Sequence, residues 1–156
     1  MTHGMTQTLE GYKRILLPID FTEHCDRTAK HAAWLAQRSE GTLHLAHVVE
    51  NPLDPIYKPE EVQHWVVVEH ATERAREMLE DTARACLPAA APRRLHVLGG
   101  DPAEKLVELA AVIPADLIVM STHGTSSIAH LLLGDIADKV ARHAPCPVLL
   151  VRVPRP

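Results

Sequence analysis

Short, unbroken apolar runs alternate with helix-length stretches along this chain, and that alternation leaves few folds open. The runs at 14–19, 42–49, 94–98, 117–120 and 147–153 read as strands. They are continuous rather than alternating, which is the pattern of strands covered on both faces. Residues 22–39 carry Ala29, Ala32, Ala33, Leu35 and Ala36 at helical spacing, with Gly41 as the stop. A long helix opens at Pro59-Glu60-Glu61, where proline and acids suit a helix start. Its apolar stripe is Val62, Trp65, Val66, Ala71, Ala75, Met78, Leu79, Ala83 and Cys86, and Pro88 ends it. Gly99-Gly100-Asp101-Pro102 is a turn and helix start, with Asp101 as N-cap and Pro102 as first helical residue. Two short helices, 103–111 and 136–143, complete the pattern.

Strands joined through helices are parallel, and right-handed crossovers place helices on both faces of their sheet. The fold class expected is therefore α/β: a single doubly wound, Rossmann-like domain with a five-stranded parallel sheet. Ligands of such sheets lie beyond the carboxyl ends of the strands, where the strand order reverses. The first and fourth strands are expected to flank that point.

The chain has 156 residues, enough for one domain over 11–153, with 1–10 as a flexible polar tail. A formal charge of -4 and 3% aromatic residues argue against a nucleic-acid partner. No apolar run approaches the roughly 18 residues that span a bilayer, so no membrane is expected. Cys25, Cys86 and Cys146 are odd in number and far apart, which suits free thiols in a reducing cytoplasm.

The segment between the fourth strand and the last helix, 121–135, is rich in small residues. A strand, a small-residue loop and a helix start can together hold a phosphate. Gly124 and Gly134 would let backbone N–H groups approach an anion closely, or they are simple turn residues. Ser121 either donates to a phosphate or, if its φ is positive, strains the backbone by roughly 1 kcal/mol. Asp135 suits a helix N-terminus as an N-cap, but an ionised Asp accepts and cannot donate. Beside a polyphosphate its charge repels by roughly 1 to 4 kcal/mol, so it either fills the anion site itself or helps hold Mg²⁺ there. A nucleoside or monophosphate would suffer less than a triphosphate.

His123 and His130 either meet an anion or are solvent-exposed loop residues. Asp20, closing the first strand, caps the first helix or closes a loop, with Thr22 competing for the cap. His44 and His47 are three apart in a strand and face opposite sides, and no zinc-like spacing appears, so no metal site is expected. Neither a nucleophile elbow, a Walker lysine nor paired catalytic carboxylates are found, so no enzyme is expected, slow ATP hydrolysis being the weaker alternative.

Several segments resemble the universal stress protein family. They are Ile15-Leu16-Leu17-Pro18-Ile19-Asp20, Leu45-Ala46-His47-Val48-Val49, Gly100-Asp101-Pro102-Ala103-Glu104, the run from Asp116 to Gly124, Leu131-Leu132-Leu133-Gly134, and the closing run from His143 to Val151. The resemblance covers nearly the whole chain, in order and at family spacing. It implies a cytosolic stress-response module that binds, or once bound, ATP or AMP, with Mg²⁺ as companion. The implied nucleotide-binding residues are Pro18, Ile19, Asp20, Val48, Met120, Ser121, His123, Gly124, Gly134, Asp135 and Ile136. In the ATP-binding branch the loop resembles Gly, two residues, Gly, nine residues, Gly, then Ser or Thr. Here those positions hold Ser121, Gly124, Gly134 and Asp135. The alternative is a nucleotide-free module that works through an unidentified protein partner. The last strand, Val148-Leu149-Leu150-Val151-Arg152-Val153, reads as an apolar sheet edge. The resemblance implies that it pairs with its twin in a two-fold homodimer.

Overall fold

The computed structural model describes residues 11–57, 67–122 and 133–152. The N-terminal tail, the helix opening at Pro59-Glu60-Glu61 with Val62, Trp65 and Val66, the loop residues His123, Gly124 and His130, and Val153 lie outside the described residues.

Five strands form one sheet: β1 (Arg14–Pro18), β2 (Thr42–Val49), β3 (Arg93–Gly99), β4 (Leu117–Ser121) and β5 (Val148–Val151). Four helices connect them: α1 (Cys25–Ser39), α2 (Val67–Cys86), α3 (Pro102–Val112) and α4 (Asp135–His143). The strand order is β3-β2-β1-β4-β5, and every neighbouring pair is parallel. The order reverses between β1 and β4, as the alternation of runs requires.

Each strand feeds both faces because successive side chains point opposite ways. On one face Ile15, Leu17, Leu43, Leu45, Leu117 and Val119 pack against Ala29, Ala32 and Ala36 of α1 and Leu79 and Ala83 of α2. On the other, Leu16, Ala46, Val48, Ile118 and Met120 pack against Leu106 and Ala110 of α3 and Ala137 and Val140 of α4. The buried alanines let helix backbones lie close to the sheet. Ala71, Ala75, Leu79 and Ala83 recur every four residues and keep one side of α2 fully inside.

Local chemistry sets the element ends. Asp116 binds the backbone N–H groups of Lys13 and Arg14 at 2.9 and 3.0 Å, which fixes where β1 begins beside β4. Asp101 caps α3 as expected, accepting from the Glu104 N–H at 2.9 Å. The end of α1 departs from expectation. Its left-handed residue is Glu40 (φ 51), not Gly41. Gly41 is required for a different reason: a Cβ there would sit 2.2 Å from the Tyr12 carbonyl oxygen. The start of α1 also shifts, from the expected Thr22 to Cys25, with His24 at the N-cap position and no side-chain cap.

Candidate functional site

A cavity of about 240 Å³ opens at the carboxyl end of the sheet, over the point where β1 and β4 part. Its apolar floor includes Pro18, Ile19, Ala46, Val48, Leu106 and Met120. Of the residues expected to bind nucleotide, Pro18, Ile19, Asp20, Val48, Met120, Ser121, Gly134, Asp135 and Ile136 all line it. His123 and Gly124 lie outside the described residues.

The wall that rises from β1 and β2 is tightly bonded. One Asp20 oxygen, Oδ1, accepts from the Thr22 N–H (3.0 Å), the Thr22 hydroxyl (2.6 Å) and the Cys25 thiol (3.1 Å). Asp20 therefore closes the loop rather than capping α1, and the expected competition with Thr22 becomes a bond between them. Burial and the neighbouring Asp20 charge push the Cys25 thiol up to about 12, so it stays protonated and unreactive. The next residue, Phe21, has φ 60, a left-handed conformation that costs a non-glycine residue roughly 1 kcal/mol. That turn brings its ring to 4.3 Å from the centre of the His47 imidazole.

His47 joins three segments. Its Nδ1 lies 2.7 Å from the Ile19 carbonyl, which can only accept, so Nδ1 carries the proton. Its Nε2 then accepts from the Tyr57 hydroxyl at 2.6 Å. Burial holds His47 below its ordinary range and Tyr57 above its own, which keeps both neutral. The Tyr57 ring sits among Val49, Ala71 and Ala75 and secures the segment after β2 as a side of the cleft. Asx turns at Asn51 and Asp54 shape that segment, through Leu53 N–H to Asn51 Oδ1 and Ile56 N–H to Asp54 Oδ1, both 3.0 Å. His47, Tyr57, Phe21, Cys25 and Thr28 line the cavity and escaped the sequence reading. A histidine inside an otherwise apolar strand was the available signal for His47.

The opposite wall, from β4 and α4, is built differently. Ser121 ends β4 in register with Val151. Among the described non-glycine residues only Phe21 and Glu40 have positive φ, so Ser121 carries no such strain. Gly134, not Asp135, is the N-cap of α4, and no side chain caps that end. Gly134 has φ -69 and ψ 154, angles open to any residue, and its N–H donates to the Thr122 carbonyl at 2.8 Å. That amide is thus engaged within the chain rather than held out for an anion. Asp135 is the first helical residue, and Asp138 joins it in the first turn. Both carboxylates suit the positive end of the helix dipole.

His44 and His47 do face opposite sides of β2. His44 pairs with His96 of β3, Nδ1 to Nε2 at 3.0 Å, and neither residue lines the cleft. Burial lowers both, helped for His44 by His96, Arg94 and Arg14 against an opposing Asp116, and for His96 by Arg94 and Arg76. Among the described residues no group of three or more His, Cys, Asp or Glu side chains could hold a metal ion. No helix among them is long and apolar enough to cross a membrane.

Comparison with known proteins gives one consistent family. The universal stress protein family matches residues 11–152. A universal stress protein of Methanocaldococcus jannaschii is 32% identical over 145 residues, covering 92% of this chain and 84% of that protein. One from Thermus aquaticus is 37% identical over 143 residues, covering 90% and 99%. A solved universal stress protein in complex with cAMP superposes with a TM-score of 0.65 at 29% identity, covering 92% of this chain and 99% of that one.

Proposed function

The chain belongs to the universal stress protein family, and from that premise we propose that it is a cytoplasmic, non-enzymatic binding module whose cleft takes an adenine nucleotide. The observation that carries this reading is the cavity over the β1/β4 switch point. It gathers Pro18, Ile19, Asp20, Val48, Met120, Ser121, Gly134, Asp135 and Ile136 from four separate stretches of sequence. An apolar slot with a few fixed polar groups suits a purine and its sugar. The relative solved with cAMP supports the same ligand class.

The base and ribose would lie along the β1–β2 wall, where Asp20 and the His47–Tyr57 pair give fixed polar edges. The 5′ end would point toward Gly134 and Asp135, and Asp135 would be the residue to hold Mg²⁺, which would offset the charge of any phosphate. On this reading binding rather than turnover is the activity. β5 forms one edge of the sheet, with Leu149 38% exposed. That edge suits pairing with a second copy in a homodimer.

Titration calorimetry with ATP and AMP, with and without Mg²⁺, tests the reading. Saturable binding that disappears in Ile136→Trp, which fills the cleft from its half-exposed rim, supports it. Absence of binding by either nucleotide, with Mg²⁺ present, overturns it. One feature favours a second reading, a nucleotide-free module that acts through a protein partner: the Gly134 amide is engaged and Asp135 stands at the start of α4. The same titration decides between the two.

A further inference from the structure

The charge lining the cleft is one-sided. Four carboxylates line it, from Asp20, Glu50, Asp54 and Asp135, and among the described lining residues no lysine or arginine answers them. His47, the one imidazole among the described lining residues, is held neutral by burial and already bonded on both nitrogens.

Proteins grip a polyphosphate with cationic side chains, with glycine amides or with a helix N-terminus. Here cations are absent from the described lining, the Gly134 amide is engaged by Thr122, and the first turn of α4 carries Asp135 and Asp138. The other half of the cleft is complete. Its floor is apolar, and its polar edges are fixed by bonds that exist without a ligand: three donors on Asp20 Oδ1, and the His47–Tyr57 pair.

We propose that this cleft selects adenine nucleosides by the charge of their 5′ end. Adenosine, uncharged there, binds tighter than AMP, and AMP tighter than ATP, unless a divalent cation neutralises the phosphates. A nucleoside with a positively charged 5′ substituent belongs to the favoured class. This inference rests on the adenine-nucleotide reading above and concerns what the site rejects. Each phosphate brings negative charge into a concave space already lined by four carboxylates, Asp20 half-buried and Glu50, Asp54 and Asp135 exposed, so the repulsion is strongest at low salt.

The experiment is a binding series with adenosine, AMP and ATP in EDTA, repeated with Mg²⁺ and at two salt concentrations. Adenosine is expected to bind at least tenfold tighter than ATP in EDTA, and Mg²⁺ should narrow that gap. Raising the salt should strengthen ATP binding while leaving adenosine unchanged, the reverse of a site that grips phosphate with cations. Asp135→Asn, at an exposed position, should improve ATP binding in EDTA by about tenfold, the effect of removing one close unit charge, and change adenosine by less than twofold. ATP binding as tight as adenosine in EDTA, or weakening with salt, would overturn the inference and leave the adenine-nucleotide reading standing. Failure of all three ligands, with Mg²⁺ present, would overturn both.

Discussion

The two walls of the cleft are made by different means. The β1–β2 wall is locked by short side-chain hydrogen bonds: Asp20 to nearby Thr22 and Cys25, and Tyr57 through His47 to the Ile19 carbonyl. The β4–α4 wall is held through backbone, by Thr122 N–H to the Val151 carbonyl and Gly134 N–H to the Thr122 carbonyl. The first wall presents a fixed shape in which ligand recognition is already prepared. The second presents replaceable side chains on a fixed backbone. Substitutions should therefore disturb folding on one side and ligand choice on the other.

The largest expected effect is His47→Ala. It leaves the Tyr57 hydroxyl and the Ile19 carbonyl unpartnered in a buried place and removes the ring under Phe21. A loss of about 3 kcal/mol is expected in urea unfolding. Asp135→Ala, across the cleft, should lower stability by less than about 1 kcal/mol, the scale of a helix-dipole contact. Equal losses at both positions would erase the distinction between the walls.

Asp20→Ala should lose about 1 to 2 kcal/mol by the same measurement, because three donors lose a charged acceptor. Cys25 thiol reactivity toward a disulfide reagent should rise in that variant, since the Asp20 charge is one of the causes holding its pKa up. Unchanged reactivity would leave burial as the whole cause.

Acid should act next. Folding lowers the pKa of His47, His44 and His96 below the ordinary 6.5. Below that pH the unfolded chain binds protons that the folded chain refuses, so stability falls as pH drops from about 6.5 toward the depressed folded values. Urea midpoints at pH 7.5, 6.5 and 5.5 should decline in that order, and His47→Gln should flatten the decline. A midpoint that rises on acidification would reverse the sign.

The smallest effect sharpens the comparison most. Gly134 has backbone angles open to other residues, and serine is a better N-cap than glycine. Gly134→Ser should raise the unfolding free energy measured in urea by a few tenths of a kcal/mol. A large loss would mean that the second wall is as demanding as the first.

What the sequence showed of this molecule follows the same division. The strands were legible because burial on both faces leaves continuous apolar runs. The Asp101 cap was legible because donor and acceptor lie three residues apart. Asp20 and Met120 could be placed because strand ends converge once the sheet order is known, while Val48 came from the family resemblance. Features that depend on distant backbone were not legible. Gly41 looks like a helix stop in sequence, but the Tyr12 carbonyl is what demands it. His47 looks like an isolated polar residue until Ile19, 28 positions away, and Tyr57, 10 positions away, are brought to it. Asp135 looks like a cap because Asp is a common one, yet the chain enters α4 one residue earlier, through Gly134.

The bond between Gly134 and Thr122 also has a meaning in polymer terms. It holds together the two ends of the stretch 123–133, so the entropy of closing that loop is offset by the sheet and α4 and not by any ligand. The spacing of Thr122 and Gly134 is therefore set by folding itself, and a ligand at this wall meets a frame whose ordering has already been accounted for.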